Sequence, residues 1–405
     1  VKHIDEYRNG ALARDIAAQI AHEAAPGRHY QFMEFCGGHT HAISRYGIED
    51  LLPDNVEMVH GPGCPVCVLP AGRIDDAIKL AMRPDVTLCT YADLMRVPAS
   101  GGATLLRASA AGADIRMVYS TLDVLRIAQA EPDRDVVFLA IGFETTTPPT
   151  ALAIRDARRK GLRNLSVFCN HLLTPPAMRA ILTSPPLPDG AQIRVDGFVG
   201  PAHVSTVTGT RPYLGLAAEF RKPIVVAGFE PLDVVHAILM LVRQVNAGRH
   251  DVENQYSRFV TADGNRIAQR EMSNVFELRP SFEWRGLGEV PFSALRLRAE
   301  YADLDAERRF AITTIPAADN PACECATILR GLKKPPECKL FGTLCSPETP
   351  MGSCMVSPEG ACAAHWTFGR FRDRYGKGTK DFSSEKKKQK TFDHGTVPNL
   401  HTAAQ

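Results

Sequence analysis

The chain of 405 residues has no apolar run long enough to cross a bilayer. Runs such as Val136 to Phe143 and Ala237 to Val242 fall far short of the roughly 20 residues a spanning helix requires. The N-terminal Val1-Lys2-His3-Ile4-Asp5-Glu6 lacks the apolar core of a signal peptide, so a cytoplasmic location without membrane contact is expected. No sign of charge dominates either: 47 Lys+Arg face 45 Asp+Glu, and a net +2 is too small to imply a nucleic-acid partner. Collagen-like and coiled-coil repeats are absent from the sequence. With 44% hydrophobic and 23% charged residues, 31 Gly and 29 Pro, the composition is that of an ordinary globular protein. At about 150 residues per domain, the length implies two or three domains, each able to bury a core.

The small positive surplus is unevenly placed. Residues 371–405 carry six Lys and two Arg against three Asp and one Glu, which leaves a net −2 on the rest of the chain. With no apolar periodicity, this basic tail is expected to be a disordered, solvated extension.

Short β-branched and apolar runs recur at Gln31 to Phe35, Val56 to Val59, Val86 to Thr90, Ile115 to Tyr119, Val136 to Ile141, Leu165 to Cys169, Val195 to Val199 and Ile224 to Ala227. Each ends in a Gly-, Pro- or polar-rich turn, and most are followed by a helical pattern. Such alternation predicts an α/β protein with parallel sheets covered on both faces. The motif-bearing turns fall into two groups of four. Two doubly wound domains are therefore expected, at 1–125 and 126–248, divided near Leu122 to Arg134, with a single eight-stranded barrel as the alternative. A third domain of different character is expected at 249–370. Ligands of open parallel sheets bind beyond the carboxyl ends of the strands, so the strand-end motifs should face one cleft between the first two domains.

Cysteine is plentiful, at eleven residues. In a reducing compartment this points to metal or redox chemistry rather than structural disulfides. Cys64-Pro65-Val66-Cys67 precedes a helix expected at Ile74 to Met82. There a lowered thiol pKa would favour reversible disulfide formation, with half of a zinc site as the alternative. Cys36 follows a strand and is itself followed by Gly37-Gly38-His39, which suits a reactive thiolate or a soft-metal ligand with His39 as base or supporting donor. Cys89 and Cys169 lie inside apolar runs and read as core residues. His171 and His203 read as hydrogen-bonded structural histidines, and Glu144 and Glu230 follow strands in a short Gly-Phe-Glu repeat that suggests acid-base or partner contacts, with chance recurrence as the alternative.

Six further cysteines crowd residues 323–362. Cys325, Cys338, Cys345 and Cys362 are separated by 12, 6 and 16 residues, and starting from Cys323 changes the first spacing to 14. That spacing excludes a two-pair zinc ribbon and suits a thiolate-bound iron-sulfur cluster, with structural zinc as the alternative. The Cys-x-x-x-Cys-x-x-Cys signature of a radical S-adenosylmethionine enzyme is missing.

The motifs Phe35-Cys36-Gly37-Gly38-His39-Thr40, Gly61-Pro62-Gly63-Cys64-Pro65-Val66-Cys67, Gly142-Phe143-Glu144-Thr145-Thr146-Thr147, Gly200-Pro201-Ala202-His203-Val204-Ser205 and Gly352-Ser353-Cys354-Met355-Val356-Ser357 occur in the order found in a known family. From about Ile4 to Arg370 the sequence resembles the HypD family of nickel-iron hydrogenase maturation factors. The resemblance implies two α/β domains and a third carrying a 4Fe-4S cluster. It also implies a scaffold on which, with a HypC-type chaperone and a HypE-type cyanide donor, iron acquires the ligands of the Fe(CN)2CO unit. By the same resemblance Cys36 would be an iron ligand shared with the chaperone, and Cys64 and Cys67 the redox-active pair. Cys338, Cys345 and Cys362, with Cys323 or Cys325, would hold the cluster. A cluster-linked thiol-disulfide oxidoreductase acting on proteins is the competing expectation.

Overall fold

The computed structural model describes residues 5–186, 190 and 192–370. The expected basic tail at 371–405 lies outside them. All eight expected strands are present, together with a short ninth. In chain order they are β1 (Tyr30–Glu34), β2 (Val56–His60), β3 (Val86–Thr90), β4 (Ile115–Met117), β5 (Asp135–Gly142), β6 (Leu165–His171), β7 (Gly197–Pro201), β8 (Ile224–Ala227) and β9 (Val252–Asn254). They form two open parallel sheets, one five-stranded in the order β2-β1-β7-β8-β9 and one four-stranded in the order β4-β3-β5-β6. The barrel is thereby excluded.

The strands do not divide four and four along the chain. After β2 the chain leaves the first sheet, builds the whole second sheet from β3 to β6, and returns as β7 beside β1. The expected boundary near Leu122 to Arg134 therefore falls inside the second sheet, between β4 and β5. Its physical origin is a nested connection: β1 pairs with β7 across more than a hundred intervening residues, and no local pattern reports that.

The helices obey local rules. Helix Pro231–Asn246 begins with Pro231 at its first position and a reciprocal cap between Glu230 and Asp233. Helix Thr147–Arg159 places Pro148 and Pro149 in its first turn, where missing amides cost nothing. β5 is buried along nearly all its length because helices cover both faces of its sheet.

The segment expected as a third domain is not separate. Its first strand, β9, completes the edge of the first sheet. Helix Arg266–Val275 packs on helix Thr147–Arg159. Two small antiparallel pairs follow, Phe276–Leu278 with Leu295–Leu297 and Ser281–Trp284 with Gly288–Pro291. The cysteine-rich stretch then shares one apolar core with both sheets, in which Trp284, Ile328 and Met355 join Met33, Val68 and Leu139. Among the described residues no helix is long and apolar enough to cross a membrane.

Candidate functional site

The carboxyl ends of β1, β2, β7 and β8 meet at Cys36. Strand β1 ends at Glu34, and Cys36 is the extended residue that opens the ten-residue helix Gly37–Tyr46. The loop after β2 lies directly against it. Gly37 N–H donates to Gly63 O at 3.0 Å, and a Cβ on Gly63 would stand 2.6 Å from Phe35 C and 2.7 Å from Cys36 Cα. Only glycine permits that approach.

Cys36 is buried, and burial followed by the charge of Glu359 pushes its thiol pKa up, although the amides of Gly38 and His39 support the thiolate. His203, from the helix after β7, places Nδ1 4.0 Å from Cys36 Sγ. Burial lowers the pKa of His203, and its ring stacks on Phe229 at 4.0 Å.

His39 sits differently from the expected base. Its Nε2 lies 2.9 Å from Ala227 O and 3.0 Å from Gly228 O at the end of β8. That geometry makes Nε2 the protonated donor, and burial keeps the pKa low. His39 therefore reaches Cys36 through its backbone, and His203 is the imidazole beside the thiol.

Glu34 and His60 carry no motif signal because they read as ordinary strand-end residues. Glu34 is fully buried and accepts hydrogen bonds from Cys36 N–H at 2.9 Å, from His60 Nδ1 at 3.0 Å and from the Thr40 hydroxyl. Burial opposes the imidazolium of His60, but the hydrogen bond and charge of Glu34 outweigh it and raise the pKa. Glu359, from the cysteine-rich stretch, packs against Gly37 at the start of the same helix.

Cys64 and Cys67 are joined as a disulfide with Cα atoms 5.3 Å apart. The four-residue helical turn Pro65–Val68 holds them, and Cys67 N–H points at Cys64 Sγ at 3.3 Å. The following helix spans Ala71–Ala81, close to expectation. A turn this short leaves its own carbonyls without helical partners. Groups from the C-terminal segment satisfy them: the Ser353 hydroxyl donates to Cys67 O at 2.6 Å and Arg285 N–H to Val68 O at 2.8 Å.

Ser353 is followed by Cys354, so the disulfide turn docks on the cysteine-rich stretch. There the Cys325 sulfur lies within hydrogen-bonding reach of Cys323, Cys354 and Cys362. Cys345 Sγ accepts Met351 N–H at 3.4 Å. Gly352 makes room for the group, since a Cβ there would lie 2.6 Å from Cys325 Sγ and also strike Cys323. Cys338 lies beside Glu324 and within electrostatic reach of Cys345. The hydrogen bond from Cys325 lowers the Cys323 pKa despite burial. Counting spacings among four cysteines left Cys354 out, yet it belongs to the same group of sulfurs. Among the described residues no three Cys, His, Asp or Glu side chains close on a point as donors to a single ion would.

The remaining residues singled out in the sequence are structural. Cys89 and Cys169 are fully buried, as expected of core residues. His171 hydrogen-bonds Thr150 Oγ1 at 2.9 Å. Glu230 caps its helix and binds Arg8, with Arg8 Nη2 2.9 Å from its Oε1. Glu144 caps the helix Thr174–Leu182, accepting from Thr174 N–H at 2.9 Å and its hydroxyl at 3.0 Å.

Fold and site together define an α/β protein of two nested parallel sheets whose strand-end loops gather buried thiols beside a docked, cysteine-rich C-terminal segment. A family model described as HypD, hydrogenase formation hypA family, matches residues 11–369. The chain is 71% identical to a hydrogenase maturation factor HypD of Rhizobium leguminosarum bv. viciae, over 92% of this chain and 97% of that protein. It is 65% identical to one from Cupriavidus necator, over 92% of this chain and 98% of that protein. Against one from Escherichia coli K12 the identity is 44%, over 91% of this chain and 98% of that protein. The chain belongs to the HypD family of hydrogenase maturation factors.

Proposed function

We propose that this protein is the scaffold on which the Fe(CN)2CO unit of a nickel-iron hydrogenase is assembled, in complex with a HypC-type chaperone and supplied by a HypE-type cyanide donor. The observation that carries this reading is the continuity of the thiol centres. The Gly37–Gly63 hydrogen bond joins the Cys36 loop to the disulfide loop, and the Ser353–Cys67 hydrogen bond joins that loop to the cysteine-rich stretch.

In this reading iron is cargo and Cys36 is its ligand, since a soft thiolate suits low-spin ferrous iron bearing strong-field diatomic ligands. Burial keeps Cys36 protonated until a cation takes the place of its proton, and the Gly38 and His39 amides then support the thiolate. Cleaving a thiocyanate into thiolate and cyanide consumes two electrons. Oxidation of Cys64 and Cys67 from dithiol to disulfide releases two electrons and two protons, so one dithiol matches one cyanide. Cys338, Cys345 and Cys362, with Cys323 or Cys325, are the proposed ligands of a 4Fe-4S cluster. The donor set fits such a group in its chemistry: it is all thiolate, the usual ligand of iron-sulfur clusters. When bound, the cluster supplies electrons one at a time. The competing role, exchange with disulfides of other proteins, would use the same Cys64 and Cys67 pair but gives the Cys36 loop no iron to hold and predicts no diatomic ligands on the protein.

Infrared spectroscopy of the anaerobically purified complex with the HypC-type chaperone tests the proposal. The wild-type complex should show cyanide and carbon monoxide bands, and Cys36→Ser should abolish them while leaving the cluster colour. Bands of wild-type intensity in Cys36→Ser would mean the iron is held elsewhere.

A further inference from the structure

The loop after β8 ties the Cys36 site to the front of the chain through a series of contacts that nothing above puts to use. His203, whose Nδ1 stands 4.0 Å from Cys36 Sγ, is solvent-exposed, while Cys36 itself is only 7% exposed. Phe229 backs the His203 imidazole at 4.0 Å between ring centroids and stands 4.9 Å from the ring of His39. It can lie there because residue 38 is glycine: a Cβ on Gly38 would come within 2.7 Å of the Phe229 ring. One imidazole is thus held between a thiol and a phenyl ring.

Two ion pairs fix the loop that carries Phe229. On its inner side Asp233, fully buried, accepts from Arg258 Nη1 at 2.7 Å and from Gln255 Nε2 at 2.9 Å, and Gln255 Oε1 accepts from Gly228 N–H at 3.3 Å. On its outer side Glu230 is paired with Arg8, whose side chain is 47% exposed. Arg8 belongs to the single 3-10 turn Asp5–Arg8, and the Arg258 guanidinium lies 3.7 Å over the ring of Tyr7 in that turn. The turn therefore touches both anchors at once. Tyr7 and Arg8 precede the family match, which begins at residue 11. The anchors differ in strength. The Asp233–Arg258 pair is desolvated and hydrogen-bonded through both carboxylate oxygens, so breaking it is costly. An exposed pair held by one helical turn costs little to break and opens locally.

We propose that Asp5–Arg8 is a clasp that, through Glu230 and Phe229, holds the His203 ring against the Cys36 thiol and so sets how readily that thiol can be reached. With the clasp shut, the loop is pinned at both ends. When Arg8 lets go of Glu230, the Phe229 end can swing outward while the Gly228 end stays fixed by Gln255. A ligand arriving at Cys36 has to displace His203, so the clasp governs loading without touching the thiol. Nothing in this depends on iron being the occupant, and the clasp and the scaffold reading can fail separately.

Alkylation of Cys36 by iodoacetamide in the full-length protein stripped of iron, followed residue by residue by peptide mass spectrometry, tests this. Cys89 and Cys169, fully buried in the second sheet, are internal controls, because unfolding of the whole molecule would expose them as well. Arg8→Ala should speed modification of Cys36 about fivefold, the scale of a well-formed exposed ion pair, and leave both controls unchanged. Arg8→Lys, which keeps the charge, should recover most of the wild-type protection. Phe229→Ala removes the ring that backs His203 and should speed modification roughly tenfold. Adding Arg8→Ala to Phe229→Ala should bring no further gain, because the clasp acts through that ring. If Phe229→Ala does not fold, Arg8→Ala and Arg8→Lys decide. A wild-type rate at Cys36 in Arg8→Ala, or a rise shared by Cys89 and Cys169, would overturn the clasp and leave the scaffold reading standing. Additive effects in the double variant would overturn the route through Phe229.

Discussion

Two buried carboxyl groups near the strand ends meet different fates because of what faces them. Glu34 is matched by His60, whose positive form it favours. Glu144 is 2% exposed and accepts from the neutral amide and hydroxyl of Thr174 rather than from a cation, so burial pushes its pKa up to about 7. In the unfolded chain the same carboxyl titrates at its ordinary 4.5. Between those values the folded state holds a proton that the unfolded state has lost, so stability falls as pH rises through this window. At about 1.4 kcal/mol per unit the loss totals roughly 3 kcal/mol. Urea unfolding from pH 4.5 to 7 should show this slope, and Glu144→Gln should remove it. A slope equally steep in Glu144→Gln would assign the effect to another group. The two Gly-Phe-Glu repeats thus hide unlike residues: a helix cap in both cases, but ion-paired at Glu230 and solitary at Glu144.

At the scale of elements, the sequence made strands legible and their partnership illegible. Val86–Thr90 and Ile224–Ala227 match their expected limits because each is an apolar, β-branched run closed by a polar or Gly turn. β9 escaped notice since an edge strand of three half-buried residues has no such run. Pairing is a long-range property, and strands of both sheets look alike when helices cover both faces. Even so, the placement of motifs after strands led to residues that the fold brings close together around Cys36, because strand-end loops converge whichever sheet order obtains. Gly63 shows how tightly they converge. Alanine there would drive its Cβ into the backbone of Phe35 and Cys36, which cannot yield as a side-chain tip can. Gly63→Ala should destabilise the fold by about 1–3 kcal/mol, the usual cost of overpacking, and, if Cys36 holds iron as proposed, reduce its loading. Wild-type stability and loading in chemical unfolding and iron assays would show that the two loops do not need this contact.

On the scale of the whole molecule, the C-terminal segment behaves as a brace rather than an appended domain. Arg73, buried at the start of the helix after the disulfide turn, reaches Asn170 Oδ1 at 2.6 Å, lies 4.1 Å over the Phe168 ring and pairs with Glu307. It thereby ties the first half of the chain to β6 and to the C-terminal segment at once, and the core formed by both sheets and the cysteine-rich stretch is continuous. Residues 371–405 stand apart from this scheme. The family match ends at residue 369, and the basic surplus lies wholly beyond it. No thiol and no apolar periodicity occurs there, so the chemistry proposed for the folded region does not call on the tail. Truncation after Arg370 should therefore leave the thermal midpoint and hydrogenase maturation in a complemented deletion strain unchanged. The formal charge would pass from +2 to −2, reversing electrophoretic mobility at neutral pH. A truncated protein with the wild-type thermal midpoint but no maturation activity would instead make the six lysines a binding element, and an acidic partner surface would be the first place to look for what they bind.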